Sequence, residues 1–349
     1  MRLNRILALC VLMTLVSLMG VNAKDKCGKA RKSKPIPVIM GADFGSSTDD
    51  LFALMMANHF IDEGKIDLKG VVSNRMGDKN AGVVDIFNTF YGHPNIPIGL
   101  ERNGVENPYV FTPYNGICDL KTEDGKPMFE RTYPDVSKLP DGYKLYRKLL
   151  SEAKDHSMVL VEIGFSTTLC QLLQSDADEF SPLGGRDLVG KKVKAIYIQC
   201  GRFQPTDSVC GYNMKAAPKA SAVFFETLPT NVELHLSPSM VGAGINYLPQ
   251  DVLDDLAYTT KNPIKAVYEN YECTEGQRMW DSNCLVEAVE GESSYNISPR
   301  GWVKFVDKGE NSLMFFINDP NGNARHQIKG DSYFNAEKLL QIRRYNRKR

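Results

Sequence analysis

Asp43, Asp49 and Asp50 crowd into one short stretch, Ile39-Met-Gly-Ala-Asp-Phe-Gly-Ser-Ser-Thr-Asp-Asp-Leu-Phe-Ala-Leu54, where an apolar run ends in a glycine-rich turn. Carboxylates this close repel one another, and hydrogen bonds or a hard cation such as Ca²⁺, which takes all-oxygen ligands, must offset the repulsion. A plainer reading is helix capping, with Asp49 and Asp50 stabilised at the positive end of a helix dipole. On this stretch alone both readings stay open, because acidic helix starts are common.

The flanking residues say where such a turn would sit. Residues 37–40 read as a short buried strand and 51–57 as the start of a mostly buried helix. The carboxylates then lie at the carboxyl end of a strand, where open α/β sheets place ligands. Further strands are expected at 66–73, closing on Asn74, and at 94–99, with a helix at 80–91 between them; this alternation implies parallel strands and right-handed crossovers. Residues 100–140 are rich in Pro, Gly and Asn, a length of connection that usually forms a lid or an ordered excursion over a site.

Regularity returns with a helix at 143–154 and a strand at 156–163 that ends on Gly164-Phe-Ser-Thr-Thr168. A strand at 192–199 runs into Cys200-Gly-Arg-Phe-Gln204, proline opens a helix at 218–226, and a strand follows at 232–236. Several strands thus deliver polar loops to one rim. Helices are expected at 252–259, 263–269 and 284–289, the last after Arg278-Met-Trp-Asp281, then a hairpin over 302–317 and a basic helix after Phe334. No repeat or linker interrupts this pattern, so the expectation is one α/β domain, a largely parallel central sheet flanked by helices on a Rossmann-like core.

With 349 residues, 42% of them hydrophobic and 24% charged, the chain can bury a substantial core. Lys+Arg and Asp+Glu balance at 42 each, which argues against a broad nucleic-acid surface. Arg2 and Arg5, an apolar stretch over 6–19 and the small-residue site Val21-Asn-Ala23 read as a cleaved signal peptide. The expected organisation is a signal over 1–23, a basic lead-in over 24–34 and the α/β domain over 35–349, exported to a periplasm or secreted, with no membrane span after cleavage. Seven cysteines remain after cleavage, without a CxxC pair, which suits one or more disulfides and at least one free thiol. The histidines show no zinc spacing, and no Ser-His-Asp set can be assembled.

Taken together, the turns resemble those of the inosine-uridine preferring nucleoside hydrolases over most of the chain. Asp43-Phe-Gly45 and Asp49-Asp50 are similar to the second half of that family's Asp-x-Asp-x-Gly-x-Asp-Asp turn, with Ser46-Ser47 as a short insertion. Asn74, Asn88 with Ile96-Pro-Ile-Gly99, Gly164-Phe-Ser-Thr167, Gly211-Tyr-Asn213 before Pro218-Lys-Ala-Ser, and Trp280-Asp281 follow in the family's order. The resemblance implies hydrolysis of the N-glycosidic bond of a small ribonucleoside or related N-ribosyl compound with one Ca²⁺. It implies that Asp43, Asp50, the Thr167 carbonyl and Asp281 hold the metal. Asp49, Asn74 and Asn213 would hold the ribose hydroxyls, and Asp43 would activate a metal-bound water. It leaves a homo-oligomer open.

The departures are as specific. Gly41 stands where the family has its first Asp, Gly211 where it has the glutamate of a Glu-x-Asn turn, and Trp280 where it has a histidine. Two readings of Trp280 follow, a flat surface on which a base stacks or an ordinary core residue. The rival to an enzyme is a degenerate, non-catalytic member that binds Ca²⁺ and ribose or another carbohydrate in the cell envelope.

Overall fold

A computed structural model describes residues 34–45, 47–105, 113–203 and 208–348. The expected signal, the lead-in except Lys34, and part of the long 100–140 segment lie outside the described residues. No helix among those described is long and apolar enough to cross a membrane.

The sheet begins with β1 (Ile36–Ala42), and helix α1 (Asp49–Asp62) follows the acidic turn. Along β1 the side chains alternate: Val38, Met40 and Ala42 join one core cluster and Ile39 the other, as the two faces of a strand require. Helix α1 is buried all round from Leu51 to Phe60, which makes it a central element rather than an amphipathic cover. Each large apolar side chain so buried contributes roughly 1.5–3 kcal/mol.

The chain continues through β2 (Ile66–Arg75), α2 (Asp78–Phe90), β3 (Ile98–Val105), α3 (Gly142–Glu152), β4 (Met158–Glu162), α4 (Thr167–Gln174), α5 (Gly185–Lys192) and β5 (Val193–Gln199). Then come α6 (Tyr212–Ala216), α7 (Pro218–Thr227), β6 (Glu233–Ser237), α8 (Ser239–Gly242), β7 (Asn246–Tyr247), α9 (Pro249–Asp255), α10 (Pro263–Asn270), β8 (Gln277–Arg278) and α11 (Ser282–Glu290). The last part holds β9 (Asn296–Ile297), β10 (Gly301–Val306), β11 (Leu313–Asn318), β12 (Ala324–Ile328) and α12 (Ser332–Asn346).

The main sheet has ten strands in the order β11-β10-β12-β6-β5-β4-β1-β2-β3, with β9 paired to β12, while β7 and β8 pair separately. From β3 to β12 the pairings are parallel, and β9, β10 and β11 add antiparallel ones. The strand order reverses between β1 and β4, the switch point outside which doubly wound sheets bind ligands. Helices α11 and α12 pack against α1 on one face. On the other face α3, α4 and α5 pack together, joined by α7, around a second core of Leu145, Leu160, Leu172 and Phe224.

Several elements differ from expectation, β3 and β12 among them. The strand foreseen at 94–99 begins at Ile98, because Pro94 and Pro97 lack a ladder donor; the Pro97 carbonyl instead accepts from Val71 N at 2.9 Å. β12 was not foreseen, and it carries the hairpin onto the main sheet by pairing Ala324 with Leu234. Its residues Arg325, His326 and Gln327 hide a strand behind polar composition. Cys118, Cys170, Cys200, Cys210 and Cys284 are thiols, so the expected disulfide does not form among these five.

Candidate functional site

The acidic turn leaves β1 at the switch point. Asp43 follows the strand directly, and Asp49 and Asp50 open α1 with side chains almost wholly buried. Asp281 arrives from the other end of the chain, just ahead of α11. One oxygen from each of Asp49, Asp50 and Asp281 lies within 4.8 Å of the others. Burial pushes the carboxyl groups of Asp49, Asp50 and Asp281 above the ordinary carboxylate range, and mutual repulsion adds to the shift of Asp50 and Asp281.

Asp43 has a different partner. Arg75 Nη2 sits 2.7 Å from Asp43 Oδ2, and Arg75 Nε donates to the Asp43 carbonyl at 3.0 Å. Burial raises Asp43 to about 6, against the opposing pull of Arg75. Asp49 accepts from Ser47 Oγ, from Gln277 Nε2 at 3.3 Å and from the Trp280 amide at 3.3 Å. Asp50 Oδ1 is buried with no hydrogen-bond partner among the described residues, and the Tyr114 hydroxyl lies near the same carboxyl group.

Asn74 is the next-to-last residue of β2, where its Oδ1 accepts from Phe165 N at 3.0 Å while its Nδ2 has no partner among the described residues. That contact depends on Gly164, whose added Cβ would stand 2.4 Å from Asp43 N and 2.3 Å from Asn74 Oδ1. Thr167 opens α4, and its Oγ1 is buried and unpartnered. Asn213 in α6 donates to the Ile163 carbonyl at 2.9 Å and to Gln199 Oε1 at 3.0 Å.

A cavity of about 330 Å³ opens over these groups. Asp43, Asp49, Asp50, Asn213, Trp280 and Asp281 line it, whereas Asn74 and Thr167 are not part of the lining. Trp280 is partly exposed, with Nε1 held by the Ser239 carbonyl at 3.0 Å, so it is not a core tryptophan. Together with Ser47 it also borders a second cavity of about 670 Å³. Sequence reasoning missed Arg75, Gln199, Arg202 and Lys215, which share the first cavity. A usable signal for Arg75 was its place directly after Asn74 at the end of β2. His235 lies in β6 and bonds Glu287 at 2.9 Å, away from this lining.

The donor set suits a hard divalent cation. Clustered carboxylates and a buried carboxylate oxygen without a partner are the observation that a cation would satisfy. The three carboxylates within 4.8 Å of one another include Asp49, where the family resemblance implied Asp43.

No family model matches the sequence, and no curated protein matches it. Solved structures do match. A plant nucleoside hydrolase is similar over 88% of this chain and 99% of its own, at 16% identity and a TM-score of 0.62. An inosine-uridine preferring nucleoside hydrolase from Bacillus anthracis is similar over 89% and 99%, at 13% identity and a TM-score of 0.60. The chain has the nucleoside hydrolase fold. The type III effector protein XopQ, solved in complex with adenosine diphosphate ribose, is similar over 91% and 95%, at 13% identity and a TM-score of 0.64.

On the nucleoside hydrolase fold the departures acquire physical causes. An added Cβ at Gly41 would stand 2.2 Å from Glu162 Oε2, so a carboxyl from the neighbouring β4 fills the space of a side chain at 41. Tyr146 donates its hydroxyl to Glu162 Oε1, and burial raises Glu162 to about 8. Gly211 adopts φ 84°, a left-handed conformation that a glutamate would reach only under strain.

Proposed function

We propose that this chain is an exported, Ca²⁺-dependent hydrolase of the N-glycosidic bond of ribonucleosides or related N-ribosyl compounds. The observation that carries the reading is the buried carboxylate cluster of Asp49, Asp50 and Asp281, with its unpartnered Asp50 oxygen, at the cavity that Asp43 also lines. The nucleoside hydrolase fold of the similar structures supports it. So does the ribosyl ligand of the effector with the same architecture.

Asp50 and Asp281 of that cluster would hold Ca²⁺, joined by Asp43 and the Thr167 carbonyl as the family resemblance implies, with Asp49 beside them. The ion would supply positive charge that orients the attacking water and offsets the carboxylate repulsion. Asp43 is the general base, accepting a proton from that water as its oxygen bonds to C1′. The C1′–N electron pair leaves with the base, which takes up a proton. Asp49 and Asn213, which line the cavity, would hold the ribose hydroxyls, together with Asn74, which the family resemblance implies and whose Nδ2 has no partner among the described residues. The cavity's carboxylates stabilise positive charge developing on the sugar, and Trp280 offers its face to the base.

A second reading, a non-catalytic binder of Ca²⁺ and ribose, is favoured by one observation: Arg75 already engages the Asp43 carboxylate. Base and ribose release from a nucleoside panel by the Ca²⁺-loaded protein separates the two. Turnover supports the hydrolase. Calorimetric binding of ribose with no release of base from any nucleoside establishes the binder instead.

A further inference from the structure

We infer that Tyr114 is a positioning residue of the metal site, its phenolic hydroxyl holding the Asp50 carboxylate in place for a bound divalent cation. The inference rests on the proposed function for the metal and deepens it, because it gives a role to the long segment between β3 and α3.

Tyr114 opens a short 3-10 helix, Tyr114–Asp119, and its side chain is fully buried in the core that packs around α1. It is not part of the cavity lining, so it reaches the site through the protein interior. Its hydroxyl lies near the Asp50 carboxyl group. Among the described residues that hydroxyl has no hydrogen-bond partner, and neither has Asp50 Oδ1. Two neighbouring buried polar groups left open are costly, and native interiors rarely keep them without a use. A carboxylate offers about four acceptor sites, so an Asp50 carboxylate that holds a cation still has room for one phenolic donor. Carboxylates that ligate metals are commonly oriented by such outer hydrogen bonds.

The short helix is fixed against the acidic turn at both its ends. At its start, Asn115 Nδ2 donates to Asn80 Oδ1 at 3.0 Å, and Asn80 Nδ2 donates in turn to the Met76 carbonyl at 3.0 Å. Gly45, in the turn between Asp43 and Asp49, lies so close to Asn80 that an added Cβ would stand 2.5 Å from its Oδ1. Asn80 therefore bridges the helix to the turn. At the far end Lys79 pairs with Asp119, and Cys118 Sγ donates to the Lys79 carbonyl at 3.4 Å. The position of the Tyr114 hydroxyl is thus set by docked structure on the same turn that carries the carboxylates.

The test is calorimetric titration of the full, metal-free chain with Ca²⁺, with and without Tyr114→Phe, beside denaturant unfolding of both proteins in the absence of metal. The substitution removes one oxygen and keeps the ring. Ca²⁺ affinity should therefore fall by about tenfold or more, while the unfolding midpoint of the metal-free protein is unchanged, because the hydroxyl has no partner there to lose. A smaller fall in affinity overturns the inference. So does a fall that comes with a lower metal-free midpoint, which marks a residue of packing alone. If Tyr114→Phe does not fold, Asn115→Ala, which loosens the helix from Asn80, takes its place in the titration: weakened Ca²⁺ binding keeps the inference and unchanged binding overturns it. An unaltered chain that binds no Ca²⁺ defeats the metal reading and this inference with it. Ca²⁺ bound equally well by both proteins defeats this inference alone.

Discussion

At the scale of residues, Asp43 is the hinge of the account, because one carboxylate is asked to serve as base while paired to Arg75. Asp43→Asn keeps the shape and loses the proton acceptor, so nucleoside hydrolysis should fall by about a hundredfold or more, measured as kcat under saturating Ca²⁺. Arg75→Met leaves Asp43 buried without its partner, and the metal-free protein should lose about 3–5 kcal/mol of stability in denaturant unfolding. Glu162 supplies a pH signature. Its folded value is raised from 4.5 to about 8 by burial, so between those limits the unfolded chain gives up its proton first and stability falls as pH rises. Below about 4.5 both states hold the proton and this effect vanishes. Glu162→Gln removes it, so the stability of the variant relative to the unaltered protein should climb from pH 5 to pH 8 in paired denaturant titrations.

At the scale of elements, the sequence was most readable where one physical rule acted alone. The buried strands around Ile39, Leu160 and Ile196 and the apolar start of α1 were legible because continuous apolar runs bounded by turns have few other solutions. β12 was not, since Arg325 and His326 put polar side chains in a strand whose burial comes from its neighbours. The turns at Asp43, Gly164 and Asp281 could be placed at strand and helix ends, but Arg75, Arg202 and Lys215 could not be assigned to the cavity. Which charges meet across a sheet depends on register and crossover, and no local pattern carries that. Gly164 shows the close fit that results. Gly164→Ala drives a methyl group against the Asp43 amide and should cost about 1–3 kcal/mol, read from chemical denaturation. Ribose affinity should weaken with it, because Asn74 loses its anchor at Phe165 N.

At the scale of the whole molecule, the fold brings the opening turn and the late Trp280-Asp281 pair to one cavity although they are far apart in sequence. The strand order makes this possible, since the reversal between β1 and β4 opens the crevice into which the polar loops project. Four buried carboxyl groups at one cavity oppose their own ionisation, so a bound divalent cation would stabilise fold and site together. The most direct measurement is therefore base release from a nucleoside through one cycle of Ca²⁺ loading, chelation and reloading. The account predicts turnover in the loaded protein, its loss on chelation and its return with Ca²⁺. Turnover indifferent to the chelator, or none in the fully loaded protein, would contradict it.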